Sequence, residues 1–198
     1  VHLGALGECV RRVAAILPPE PGDVLVTNDP AFGGSHLPDV TVICPVFGPE
    51  GVLLGWTANR AHHAEIGGVT PGSMPAGAVS LAEEGVVIPP VHLVRAGISC
   101  ENEIAARLTE GPWPTRALSD NLADLRAQLA AAHHGARALL ALCGEFGAAE
   151  ITARLAALTA QAHGALTRRL AAAGDFDVSA VESLDDGTPL AVRLIHRG

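Results

Sequence analysis

Residues 40–63 read VTVICPVFGPEGVLLGWTANRAHH. Two apolar, β-branched runs, 40–47 and 52–59, are joined by Gly48-Pro49-Glu50-Gly51, the pattern of a β-hairpin. In an antiparallel pair the end of the second strand lies opposite the start of the first. This reading sets the stretch from Arg60 to His63 beside Asp39, although about twenty residues separate them along the chain. The two segments that meet are also polar clusters. TNDPAFGGSHLPDVT (27–41) and NRAHHAEIGG (59–68) concentrate His, Asp and Arg between apolar runs.

Working outward, residues 3–17 place Leu3, Leu6, Val10, Val13 and Leu17 on one helical face that stops at Pro18-Pro19. DVLVTN (23–28) reads as a short strand, and Gly and Pro recur from Glu65 to Pro90 as loop. A short helix near Ala76–Glu84 and a strand near Val86–Val94 are expected there. From Ser119 or Asp120 a helical period through Leu122, Leu125, Leu129 and Leu139/Leu140 runs to Gly147. A second helix follows, with Ile151, Leu155, Leu158, Ala162 and Leu166 on one stripe. Each spans roughly 35–40 Å at 1.5 Å per residue. The expected architecture is α+β: a mixed N-terminal half with a β-hairpin and Gly/Pro-rich loops, followed by a long antiparallel helical hairpin. The expected divisions are a strand-rich, site-bearing part over 1–98, the helical hairpin over 99–174 and a terminal strand region over 175–198.

Composition narrows the function classes. The chain of 198 residues is 48% hydrophobic but 3% aromatic, so its core is aliphatic. All 13 basic residues are arginine; set against 21 acids they leave a formal charge of −8. That balance excludes a basic nucleic-acid or anionic-membrane face. No apolar run approaches the ~18 residues of a membrane span, and no basic-then-apolar secretory signal opens the chain. Cys9, Cys44, Cys100 and Cys143 form no CxxC and read as buried thiols in a reducing, cytoplasmic compartment.

The polar clusters carry the chemistry. Gly33-Gly34 opens backbone angles closed to other residues, and Pro38 fixes the chain just before Asp39. His36 and Asp39 therefore sit on a rigid loop entering a strand, where imidazole and carboxylate suit a divalent Zn, Mn or Fe ion. The alternative is a plain turn with an exposed histidine. Neighbouring residues of an extended segment face opposite sides, so one of His62 and His63 shares the site with Asp39. Spacing does not say which. The assignment taken is His36, Asp39 and His62 as metal ligands, with Arg60, His63 and Asp29 as catalytic candidates. Arg60 either grips a carboxylate or phosphate through its planar fork or pairs with Glu65. Asp29 either supports the site or caps an Asx-turn. EIGGVTPGSM lacks the context of a phosphate-binding loop, and Ser35 and Ser73 lack that of a nucleophile elbow. His133, His134 and His163 are expected on the surface.

GDVLVTNDPAFGGSHLPDVTVICPVF, RAHHAEIGGVTPGSMP and EEGVVIPPVHLV resemble the hydantoinase B/5-oxoprolinase family, and NLADLRAQ is similar to that family's GDLxAQ helix. Glu65 stands where the family pattern has Asp, and Asn121 opens NLADL where the pattern has Gly-Asp-Leu. The resemblance covers residues 1 to about 147, and the chain reads as an internal segment of a longer family domain. It implies ATP-coupled hydrolysis of a cyclic amide of hydantoin or 5-oxoproline type. ATP would be bound by a hydantoinase A-like partner subunit in a hetero-oligomer. A ketone carboxylase subunit of acetone or acetophenone type, or a non-catalytic assembly module, are the alternatives.

Overall fold

The computed structural model describes residues 2–49 and 51–198; Val1, and Glu50 within the expected Gly48–Gly51 turn, lie outside the described residues. The chain divides into two compact units, Val1–Glu145 and Phe146–Gly198.

In the first unit, helix α1 (His2–Ile16) precedes strands β1 (Val24–Thr27), β2 (Asp39–Phe47) and β3 (Leu53–His62). A one-turn helix α2 (Leu81–Glu84), strands β4 (Val91–Arg95) and β5 (Ile98–Ser99), and helices α3 (Glu101–Thr109) and α4 (Leu118–Phe146) follow. The strands form one antiparallel sheet in the order β3-β2-β1-β4-β5. The expected hairpin is β2–β3, paired from Asp39↔His62 through Thr41↔Arg60 to Phe47↔Leu53. Its turn is held by Gly48 N donating to Val52 O at 2.8 Å and Gly51 N to Gly48 O at 3.0 Å.

Period-2 alternation divides the apolar residues of this sheet between two cores. Leu25 of β1 and Ile43 of β2 pack with Cys9 and Val13 of α1, and Trp56 and Ala58 of β3 lie against them. Their strand neighbours Val24, Val26, Val40, Val42 and Cys44 face the other way, onto Ile104 and Leu108 of α3 and Leu125 and Ala132 of α4. The sheet is thus covered on one face by α1 and on the other by α3 and α4, and β2 is buried on both faces between two helical layers.

Two expectations change. The strand expected over 86–94 begins only at Val91, because Pro89 and Pro90 cannot donate to a ladder. Residues 86–88 are tied instead by the buried Asn28, whose Nδ2 donates to Val86 O (2.9 Å) and Leu37 O (2.8 Å) while its Oδ1 accepts from Ile88 N (2.7 Å). The helix expected over 76–84 shrinks to Leu81–Glu84. Helix α3 was not anticipated; nine residues with Ile104 and Leu108 buried four apart give too short a period to stand out. His133, His134 and His163 are exposed as expected, Cys9, Cys44 and Cys100 are buried, Cys143 is half-buried, and all four thiols are unpaired. No described helix is long and apolar enough to cross a membrane.

The second unit holds helix α5 (Ala148–Ala173) and a ribbon of β6 (Phe176–Ser183) and β7 (Pro189–His196). Register puts Val178, Ala180, Glu182, Leu190, Val192 and Leu194 on one face of the ribbon, and Asp177, Ser179, Val181, Ala191, Arg193 and Ile195 on the other. The Asp177–Arg193 ion pair lies on the second of these faces. No described residue of this unit is buried, and the predicted α5 stripe of Leu155, Leu158 and Leu166 is exposed. A two-stranded ribbon without a covering layer is marginal in water. Amide hydrogen exchange should therefore run on the order of 100-fold faster across β6–β7 than across the buried β2–β3 ladder.

Candidate metal centre

The site is built on a loop that only glycine permits. Gly33 adopts φ 87°, and a Cβ on Gly34 would lie 2.6 Å from the Asn28 carbonyl oxygen. Asp29 caps the 3-10 turn Pro30–Phe32, its Oδ1 accepting from Ala31 N at 2.9 Å, and its carbonyl accepts from Phe32 N and Gly34 N. Arg12 of α1 adds a donor to Ala31 O at 3.1 Å. The loop then delivers His36 next to Asp39, the first residue of β2.

The β2–β3 register brings His62 across from Asp39, and His36, Asp39 and His62 gather with one ligand atom each, all within 4.8 Å. His62 Nδ1 lies 3.1 Å from Asp39 Oδ1 and 3.0 Å from His36 Nε2, and His36 Nε2 lies 3.4 Å from Asp39 Oδ1. Bonds of about 2.1 Å meeting at right or tetrahedral angles set ligand atoms about 3.0–3.4 Å apart. The three separations therefore match one first coordination shell. Two imidazoles and a carboxylate on one side of an ion form a donor set suited to Fe, Mn or Zn with positions left open. The Asp39 side chain is 4% exposed, against 31% for His36 and 52% for His62, so the carboxylate forms the floor of the cluster and the imidazoles its rim.

Ser35 supports this arrangement. Its Oγ donates to Asp39 Oδ2 at 2.8 Å, which occupies the oxygen that does not face the histidines. A bond of this kind orients a ligating carboxylate. Weighed from sequence only as a nucleophile, Ser35 could have been recognised by its place four residues before Asp39 on the same loop.

The remaining candidates lie elsewhere. Arg60 shares a strand face with His62, but its Nε donates to Thr41 Oγ1 at 2.7 Å and its Nη2 to Gly33 O at 2.9 Å. Its Nη1 is buried without a hydrogen-bond partner among the described residues. The guanidinium lies near Cys9, whose thiol burial pushes up more than Arg60 and Thr41 pull it down. The Glu65 pairing proposed for Arg60 does not form. Glu65 accepts instead from Arg116 Nη1 (3.0 Å), Arg116 N (2.9 Å), Gly67 N (2.7 Å) and Thr115 Oγ1 (2.6 Å). His63 does not join the cluster: as the next residue in an extended segment it faces the opposite side of the sheet, 1% exposed. There its Nδ1 meets Asn121 Oδ1 at 2.8 Å and its Nε2 meets Gln128 Oε1 at 3.1 Å. Asp29 is engaged as the turn cap.

With this geometry in view, the relatives are informative. A profile of the hydantoinase B/oxoprolinase family matches residues 1–198. The chain belongs to that family. The 5-oxoprolinase of Saccharomyces cerevisiae is 39% identical over 209 residues, which cover 100% of this chain and 16% of the yeast protein. The caprolactamase subunit beta of Pseudomonas jessenii is 36% identical over 155 residues, covering 77% of this chain and 26% of that subunit. The crystal structure of the ATP-dependent caprolactamase from the same organism superposes with a TM-score of 0.88 at 30% identity, over 100% of this chain and 34% of that one. The nucleotide-free structure of acetone carboxylase matches with a TM-score of 0.69 at 20% identity, over 96% of this chain and 27% of that one, and shares the fold. The chain thus spans a minor part of each relative.

Glu65 offers a test of how the loop after β3 is held. Burial would raise its carboxyl, but the hydroxyl of Thr115, the amides of Arg116 and Gly67 and the Arg116 guanidinium together hold it below the ordinary 4.5. A lowered folded value stabilises above the unfolded one and is lost as pH falls through the folded one. Glu65→Gln should cost about 2 kcal/mol near neutral pH. The gap between wild-type and variant melting temperatures should hold down to about pH 4.5 and close below it, measured by thermal unfolding from pH 7 to 3.

Proposed function

We propose that this chain carries the metal-bearing part of an ATP-coupled hydrolase of cyclic amides, working with an ATP-binding partner of hydantoinase A type. The observation that carries the reading is the closure of His36, Asp39 and His62 to separations of one coordination shell, at the open end of the β2–β3 hairpin. Its support from outside the chain is the family membership and the likeness to 5-oxoprolinase and an ATP-dependent caprolactamase. His36 Nε2, Asp39 Oδ1 and His62 Nδ1 hold the ion, taken from Zn, Mn or Fe. When bound, a divalent ion supplies a Lewis acid for a carbonyl oxygen or for a water.

The other residues act around it. Ser35 fixes the Asp39 carboxylate with Oδ1 inward. Arg60, about 7 Å along the strand from His62, sets a permanent cation on the same face; bonded through Nε and Nη2, it balances negative charge by field rather than by gripping it. Asp29 acts through the loop that presents His36. In this reading ATP would be bound by the partner, and the ion held by His36, Asp39 and His62 would supply its chemistry to the amide activated there. Four unpaired thiols fit a reducing, cytoplasmic setting.

Elemental analysis of the purified chain should find about one divalent ion per molecule. His36→Ala and Asp39→Asn should each remove most of it and, with the partner present, lower ATP-dependent hydrolysis of 5-oxoproline or caprolactam more than about 100-fold. Unchanged metal content in both variants would overturn the site. Bicarbonate-dependent ATP turnover on a ketone without amide hydrolysis would overturn the reaction.

A further inference from the structure

We propose that Asn121 and Gln128 of α4, acting through His63, are positioning residues that hold His62 at its ligand position from behind the sheet. The inference rests on the reading of His36, Asp39 and His62 as metal ligands.

His62 is the most exposed of the three and the last residue of β3. Its side-chain bonds run to His36 and Asp39, the other members of the cluster, and among the described residues no bond from outside the cluster fixes its ring. The next residue is held far more firmly. His63 N donates to Pro38 O at 2.8 Å, and its two ring nitrogens lie against the side-chain oxygens of amides two turns apart on one face of α4, so that either can donate to its neighbour. Those amides are locked in turn. Asn121 Nδ2 donates to Thr115 Oγ1 at 2.8 Å, and Thr115 Oγ1 donates to Glu65 at 2.6 Å. Gln128 Nε2 donates to Val40 O and to Asn59 Oδ1, each at 2.9 Å, and Asn59 Nδ2 donates back to Gln128 O at 2.8 Å.

The contact points explain the role. Val40 adjoins Asp39 and His63 adjoins His62, so one helix grips both strands at residues directly behind the cluster, and Asn59, behind Arg60, adds a further point on β3. Gln128 and Asn121 are both buried, as is Thr115, and buried polar side chains bonded in a network favour few alternative arrangements. Movement of His63 carries His62 with it through a single planar peptide. The network therefore converts the position of α4 into the position of an imidazole on the opposite face.

A generic helix–strand bond is available as the control: Thr57 Oγ1 donates to Ala132 O at 2.9 Å, joining the same helix to the same strand five residues before His62. The full chain, its His63→Phe, Asn121→Leu, His63→Gln and Thr57→Val variants are titrated with Zn2+ against a chelating dye, with melting temperature of the metal-free protein measured in parallel. His63→Phe and Asn121→Leu should weaken Zn2+ binding about 10–100-fold. His63→Gln, which keeps one amide bond, should recover part of the loss. Thr57→Val should lower the melting temperature without changing the affinity. Should the two apolar variants fail to fold, Asn121→Asp, which keeps the oxygen facing His63 and removes the donor to Thr115, should lose a smaller factor. Wild-type affinity in the folded network variants, or an equal loss in Thr57→Val, would overturn the positioning role and leave the metal reading standing. A wild-type chain that takes up no Zn2+ would overturn both.

Discussion

The antiparallel pairing of Asp39 with His62 at the open end of the β2–β3 hairpin is the contact on which the rest of the site depends. It sets a nearly buried carboxylate against an exposed imidazole and leaves room for the Gly33–Gly34 loop to bring His36 to the same point. A shift of one residue in this register would send His62 to the α4 side and His63 to the cluster. The Arg60–Thr41 bond and the Gln128 bonds to Val40 and Asn59 oppose such a slip from the two faces of the sheet.

That register also separates two kinds of polar chemistry. On the α1 face, the ligand atoms gather together, with the second oxygen of Asp39 and the second nitrogen of His36 beside the Ser35 hydroxyl. On the α4 face, Asn59, His63, Thr115, Asn121 and Gln128 satisfy each other in the interior. An unsatisfied polar group there would cost more than the network contributes, which is why buried amides and a buried histidine occur together rather than singly. The second unit has neither arrangement: its α5 stripe and the apolar face of its ribbon are exposed.

Much of the site could be read from residues. Gly-Pro-Glu-Gly between β-branched runs predicted the hairpin, the hairpin predicted the neighbours of Asp39, and alternation predicted that His62 and His63 would part company. The resemblance named the family that the comparisons bear out. The supporting residues were not legible. Asn28, Asn121 and Gln128 bond to partners 58, 58 and 88 positions away, at Val86, His63 and Val40, and no local spacing encodes such distances.

By itself the sequence determined what is periodic or local: the α+β content, the two long helices, the hairpin and the loop that carries His36 into β2. These follow from turn chemistry and side-chain period, which act over a few residues. Only the tertiary structure decided that His62 rather than His63 meets Asp39, that Arg60 braces Gly33 while Glu65 takes Arg116, and that Asp29 serves as a cap. Each of those choices depends on which helix covers which face of the sheet, and that is set by packing between segments far apart in the chain.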